Sequence, residues 1–136
     1  MNAVDTNILV RLLTADDARQ FAAAEAIFRS RVWLAKTVLL ESAWVLGKAY
    51  GFDDKTIAQA FRQLLNLSSV SMEDRESVLT ALGLVDEGLE FADALHLGSS
   101  PQNATFVSFD RKLIQRAKRA GVANAKSADD TAVTGR

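Results

Sequence analysis

Two periods organise the apolar positions of this chain. Short, largely apolar runs ("NAVD", "VWLA", "SSVSM" and "ATFVSF") read as strands, and between them lie longer stretches whose apolar members return every three or four residues, as on a helix with one buried face. "NAVD" predicts a short buried strand, "SSVSM" is the weakest of the four and "ATFVSF" the clearest. "TNILVRLLT" predicts a helix carrying Ile8, Leu9, Leu12 and Leu13. "DDARQFAAAEAIFRS" predicts a stronger one, with Phe21, Ala24 and Phe28 on one stripe and Asp16 and Asp17 near the positive end of the helix dipole. "VLLESAWVLGKAY" follows, capped by Thr37 and ended by Gly51 in the left-handed conformation. Asp53 or Asp54 caps "KTIAQAFRQLLNL", and "DRESVLTALGLVDEG" stops at Gly88. "FADALHLGSS" is a short helix, and "DRKLIQRAKRAG" runs from Asp110 to Gly121.

Short strands separated by helices describe an α/β fold with a parallel sheet of four to five strands covered on both faces. Long paired helices between strands suggest a helical arm beside the sheet. The C-terminal stretch "VANAKSADDTAVTGR" adds at most one short strand before turning polar, so the expected organisation is one domain over residues 1–126 and a polar tail over 127–136. A length of 136 residues and 49% hydrophobic content suit a single domain with a sizeable core. No apolar run is long enough to span a bilayer and the N-terminus lacks the pattern of a secretory signal, so a cytoplasmic protein with no membrane partner is expected. The absence of cysteine excludes disulfides, thiol catalysis and cysteine-ligated zinc. A formal net charge of −1 means that a nucleic-acid partner would have to meet a local basic patch.

Four carboxylates stand in apolar surroundings: Asp5 in "AVDTNIL", Glu41 in "VLLESAWVL", Asp93 in "EFADALHL" and Asp110 in "FVSFDRKLI". Asp5 and Asp110 each follow an expected strand, and the C-terminal ends of parallel strands share one edge, where such folds bind ligands. Glu41 and Asp93 lie near helix beginnings. If all four converge there, their repulsion calls for a cation, and oxygen-only ligands favour Mg²⁺ or Mn²⁺. Each residue also has a plainer reading. Asp5 and Asp110 can simply cap the helices behind them. Glu41 can be a solvated helix position, although Thr37, Trp44, Val45 and Lys48 on its face suggest partial burial. His96 follows Asp93 by three residues, a spacing that suits either a metal pair or a packed histidine.

"VDTNILVRLL", "ESAWVL", "FADALHL" and "FVSFDRKL", in this order across nearly the whole chain, resemble the PIN-domain nucleases and among them the VapC-type toxins of bacterial toxin–antitoxin pairs. That resemblance implies a three-layer α/β/α, Rossmann-like fold and a Mg²⁺-dependent endoribonuclease. Asp5, Glu41, Asp93 and Asp110 would form its acidic quartet, supported by Thr6, Asn7 and Ser108. It also implies a homodimer inhibited by a cognate antitoxin whose C-terminal segment blocks the site, and products with a 5′-phosphate and a 3′-hydroxyl.

Such a site would hydrolyse a phosphodiester by in-line attack of a metal-activated water. Arg111, Lys112, Arg116, Lys118, Arg119 and Lys126 form a stretch without acidic residues that either tracks substrate phosphates or is a solvated helix face, with Arg111, Lys112, Arg116 and Arg119 as the candidate RNA contacts. Two rivals belong to other classes. A phosphoryl-transfer enzyme forming an aspartyl-phosphate would also end its first strand in Asp, but usually wants a second Asp where Asn7 stands. A non-catalytic module would use the acidic cleft only to receive a basic partner segment.

Overall fold

A computed structural model of the chain describes residues 1–130. Its elements follow as β1 (Asn2–Ala3), α1 (Thr6–Thr14), α2 (Ala18–Phe28), β2 (Val32–Leu34), α3 (Lys36–Tyr50), α4 (Asp54–Leu65), β3 (Val70–Met72), α5 (Arg75–Asp86), α6 (Phe91–Ser99), β4 (Phe106–Ser108), α7 (Arg111–Arg119) and β5 (Ala125–Ser127), then a 3₁₀ turn at Ala128–Asp130. The chain adopts the three-layer α/β/α fold, its helices flanking short parallel strands. Each of the first three strands is followed by a pair of helices, and from β1 to β2 and from β2 to β3 the pair is the long crossover that a parallel neighbour requires. The pairs α1–α2, α3–α4 and α5–α6 pack against each other as well as on the core.

The strands form two hydrogen-bonded ladders. One has the order β1-β2-β3, with Asn2 opposite Val32 and Trp33 opposite Ser71; the other pairs β4 with β5, Val107 opposite Lys126. β2 is central in the first ladder, and its Val32 and Leu34 are fully buried with Leu9, Leu39, Phe61, Val78 and Leu82. Phe61 meets Phe91 edge to face, with ring centroids 5.5 Å apart, which ties α4 to the start of α6. The strand expected to be buried at the N-terminus is instead exposed at Asn2 and Ala3, because β1 is bonded on one side only, to β2. The clearest expected strand is likewise cut to Phe106–Ser108, with Phe109 76% exposed beyond it.

Local sequence decides most helix ends. Asp5, Asp17, Asp53 and Asp110 cap α1, α2, α4 and α7, each carboxylate accepting a backbone N–H of the first turn. Gly51, Gly88 and Gly121, expected at helix stops, have φ of 74°, 103° and 95°, and at Gly51 a residue with a Cβ would strain the turn that ends α3. Thr37 is not the cap of α3. That helix begins two residues earlier, after Ala35, and the carboxylate of Glu73 accepts the N–H of Lys36 at 2.8 Å in place of a local side chain. The expected boundary at 126 falls within β5, and Ala128–Asp130 form the 3₁₀ turn; the remainder of the expected tail, 131–136, lies outside the described residues.

One buried polar group stands out in α3. Ser42 is 0% exposed and its hydroxyl meets no hydrogen-bond partner among the described residues. A buried, unsatisfied hydroxyl is a net cost, so Ser42→Ala should hold or raise stability, by up to about 1 kcal/mol, in a denaturant titration. A loss of stability would mean that the hydroxyl does find a partner.

Candidate active site

β1 and β2 run parallel, so the helices that follow them, α1 and α3, leave from the same edge of the ladder. Asp5 occupies the turn between β1 and α1, where one carboxylate oxygen accepts the N–H of Thr6 at 2.7 Å. Thr6 is buried, and its hydroxyl donates across to one carboxylate oxygen of Glu41, a turn into α3. Asp5, Thr6, Asn7, Arg11, Glu41 and Tyr50 line one cleft of about 440 Å³ between the two helices. The second oxygens of Asp5 and Glu41 accept no hydrogen bond among the described residues, and both residues are exposed. Capping and cleft-lining are therefore compatible roles for Asp5. Partial burial of Glu41 is not observed: α3 buries Leu39, Ser42, Ala43 and Leu46, which turns Glu41 outward.

The other two carboxylates are carried by α6 and by the start of α7. Asp93 lies half-buried in the first turn of α6, and Asp110 caps α7, accepting the N–H of Leu113 at 3.0 Å, while the Ser108 hydroxyl accepts the N–H of Asp110 at 3.0 Å. Neither lines the cleft of Asp5 and Glu41. β4 belongs to the second ladder, so strand pairing does not set Asp110 beside Asp5. Among the described residues no three Asp, Glu or His side chains gather closely enough to hold a metal ion together. His96 is exposed and lines a different, shallow cleft with Lys36, Thr37 and Ser99.

The same cleft carries Arg11 and Tyr50, which the sequence pattern did not single out. Arg11 donates from Nη1 to Asp16 at 3.1 Å and to the Tyr50 hydroxyl at 3.2 Å, and from Nε to Gln20. Tyr50 in turn donates to Asp16 at 2.7 Å, and Thr14 donates to the same carboxylate at 3.0 Å. The Tyr50 bond is the largest influence on Asp16 and, with Thr14 and Arg11, holds its carboxyl below the usual range. For Arg11, desolvation is the largest single influence and opposes the charge, but Asp16 and Tyr50 together outweigh it, so its pKa lies above the ordinary value. One signal was present in the sequence: Asn7 and Arg11 are one helical turn apart, and so share the face that begins at Asp5.

A wider groove adjoins this region, and a basic face lies on α7. Glu41 also borders a wider groove of about 910 Å³, where Trp44, Leu40 and Phe91 supply apolar walls and Asp54 and Glu90 add carboxylates. Trp44 is 64% exposed there. On α7, Arg111 pairs with Asp129 at 3.0 Å, while Lys112, Arg116 and Arg119, exposed and four and three residues apart, share one face.

The PIN domain family matches residues 3–119, a span that begins at the last residue of β1 and includes the main cleft, Asp93 and Asp110. Neither the curated proteins nor the solved structures contain a match to the chain. No helix among the described residues is long and apolar enough to cross a membrane.

Proposed function

Because the chain belongs to the PIN domain family, whose fold generally serves metal-dependent nucleases, we propose that it is a Mg²⁺- or Mn²⁺-dependent endoribonuclease acting as the toxin of a toxin–antitoxin pair. The observation that carries this reading is the cleft in which Asp5 and Glu41 each offer a free oxygen, with the Thr6 hydroxyl fixing the second carboxylate. Two carboxylates, no cysteine and no histidine in the cleft suit a hard cation, and Mg²⁺ characteristically takes one or two carboxylates while keeping water and substrate oxygens. Asp5 and Glu41 would hold the ion, with Asp93 and Asp110 as the remaining members of the proposed quartet and Asn7 and Ser108 in support. When bound, the ion supplies an activated water and neutralises charge on the phosphoryl oxygens. The chain's own part is orientation: the Thr6 hydroxyl holds Glu41, and the first turn of α1 holds Asp5.

Cutting of total cellular RNA in Mg²⁺, its loss in EDTA and ends bearing a 5′-phosphate and a 3′-hydroxyl are the expected results. Absence of cutting with either metal would overturn the assignment. The antitoxin proposal draws on the wide groove beside Glu41, where an apolar anchor could sit by Trp44 and a basic side chain could reach Asp54, Glu90 or Glu41. A homodimer completes the expected assembly. The second reading, a non-catalytic module that receives a basic segment, is favoured by the lack of a three-membered ligand group among the described residues. It predicts partner binding with no cutting of any RNA.

The basic face of α7 is proposed to hold substrate phosphates. Arg116→Ala with Arg119→Ala should then weaken RNA binding and reduce the log–log salt slope by about 0.7 for each phosphate of a single strand that is no longer neutralised. An unchanged slope would make it a solvated face.

A further inference from the structure

We propose that Arg11 is a substrate-binding residue that grips a backbone phosphate of single-stranded RNA in the cleft that also carries Asp5 and Glu41. This rests on the nuclease reading and adds to it a positive contact outside the acidic quartet and the α7 stretch. The first observation is placement. Arg11 lines the same cleft as Asp5, Thr6 and Glu41, and the helical rise sets it about 7.5 Å along α1 from Thr6, a separation suited to a phosphate neighbouring the one being cut. Among the described residues it is the single cationic one of that lining.

The second observation is that the guanidinium is held in position before any ligand arrives. Nε is fixed by Gln20 and Nη1 by Asp16 and Tyr50, whereas Nη2 has no hydrogen-bond partner among the described residues. An arginine with an anchored edge and a free one loses little conformational freedom on gripping a phosphate oxygen. The third is the scaffold. Ala15, between α1 and Asp16, adopts a left-handed φ of 53°, a conformation that costs a residue with a Cβ and persists where its surroundings demand it. That turn brings Asp16 back onto Arg11, and Tyr50 at the end of α3 closes the triangle.

The competing account is a structural clamp: Arg11 would merely fasten the α1–α2 turn to the end of α3. The two accounts separate by experiment with a fluorescein-labelled single-stranded RNA oligonucleotide, titrated in EDTA so that no cutting occurs, across a series of salt concentrations. Phosphate binding predicts that Arg11→Gln weakens binding about tenfold and lowers the log–log salt slope by about 0.7, and that Arg11→Lys recovers part of both. Asp16→Asn decides the question even where Arg11→Gln folds poorly. The asparagine amide oxygen can still accept the Arg11 Nη1 bond, so the anchor is kept while the charge that neutralises the arginine is lost, and phosphate binding predicts unchanged or tighter RNA binding with a lower melting temperature. Weaker binding in Asp16→Asn, an Arg11→Gln slope equal to wild type, or no RNA binding by the wild type would each overturn the proposal. Mg²⁺-dependent turnover is read separately: Arg11→Gln should raise KM and leave kcat close to wild type. A wild type that binds RNA through Arg11 but never cuts would defeat the nuclease reading and leave this one standing.

Discussion

Asp5→Asn should lower Mg²⁺-dependent RNA cutting by between about a hundredfold and a thousandfold, the range found when one preorganised electrostatic group is lost from a site. The substitution discriminates because asparagine is as good an N-cap as aspartate. Its amide oxygen can still accept the N–H of Thr6, so α1 should form normally and melting in EDTA should stay within about 0.5 kcal/mol of wild type. What disappears is the carboxylate charge at the cleft. Thr6→Val should cost less, about tenfold to a hundredfold, because it removes only the hydroxyl that orients Glu41. A titration with Mg²⁺ supplies a readout independent of RNA: an ion at a hundred times its dissociation constant stabilises the wild type by about 2.7 kcal/mol, and the Asp5→Asn protein by clearly less. Wild-type cutting by a folded Asp5→Asn protein would reduce Asp5 to a helix cap.

How much of this site could be read from the sequence follows from the range of the interactions involved. Asp5, Asp53 and Asp110 were legible as caps, and Asp17 as an acidic residue at a helix start, because each bonds an N–H at most three residues away. The helices were legible because a buried stripe, such as Ala24 and Phe28 on α2, is written at helical spacing. The cap of α3 was not, since Glu73 reaches Lys36 from 37 residues away. Nor was the Arg11–Tyr50 pair, 39 residues apart, although Asn7 and Arg11 marked the face on which it forms. Strand pairing was the least legible feature. "NAVD" and "ATFVSF" are apolar enough for a central strand, but which edges meet is decided by packing of the intervening helices, and here β1 and β4 belong to different ladders. Asp5 with Glu41 was therefore recoverable from β1 pairing with β2, whereas the positions of Asp93 and Asp110 depend on how α6 and the second ladder sit.

The seat of α6, which carries Asp93, depends on Gly98, and glycine-to-alanine changes on two neighbouring helices should have opposite signs. A Cβ at Gly98 would lie 2.7 Å from the carbonyl oxygen of Ser77 and 3.0 Å from the backbone N of Ala81, both on α5, and 3.2 Å from the Ala81 Cβ. Carbonyl and amide atoms of a packed helix have no rotamer in which to escape, so α6 must back away from α5 along its length. Overpacking of this kind costs about 1–3 kcal/mol, more than the gain of at most about 1 kcal/mol that alanine brings to a helix interior. Gly98→Ala should therefore be destabilising, and Gly98→Val more so, since its two methyl groups meet the same backbone. Gly83, inside α5, is the control: it is exposed, a Cβ there meets nothing within 4 Å, and Gly83→Ala should stabilise by about 0.5–1 kcal/mol. Thermal or urea unfolding of the three variants beside wild type measures all of these differences. The close α5–α6 approach at Gly98 is refuted if Gly98→Ala and Gly83→Ala stabilise the protein equally. If that approach holds and Asp93 is a ligand, the folded Gly98→Ala protein should also lose Mg²⁺-dependent cutting beyond its loss of stability, because the displacement of α6 moves Asp93 while Asp5, Thr6 and Glu41 keep their places on α1 and α3.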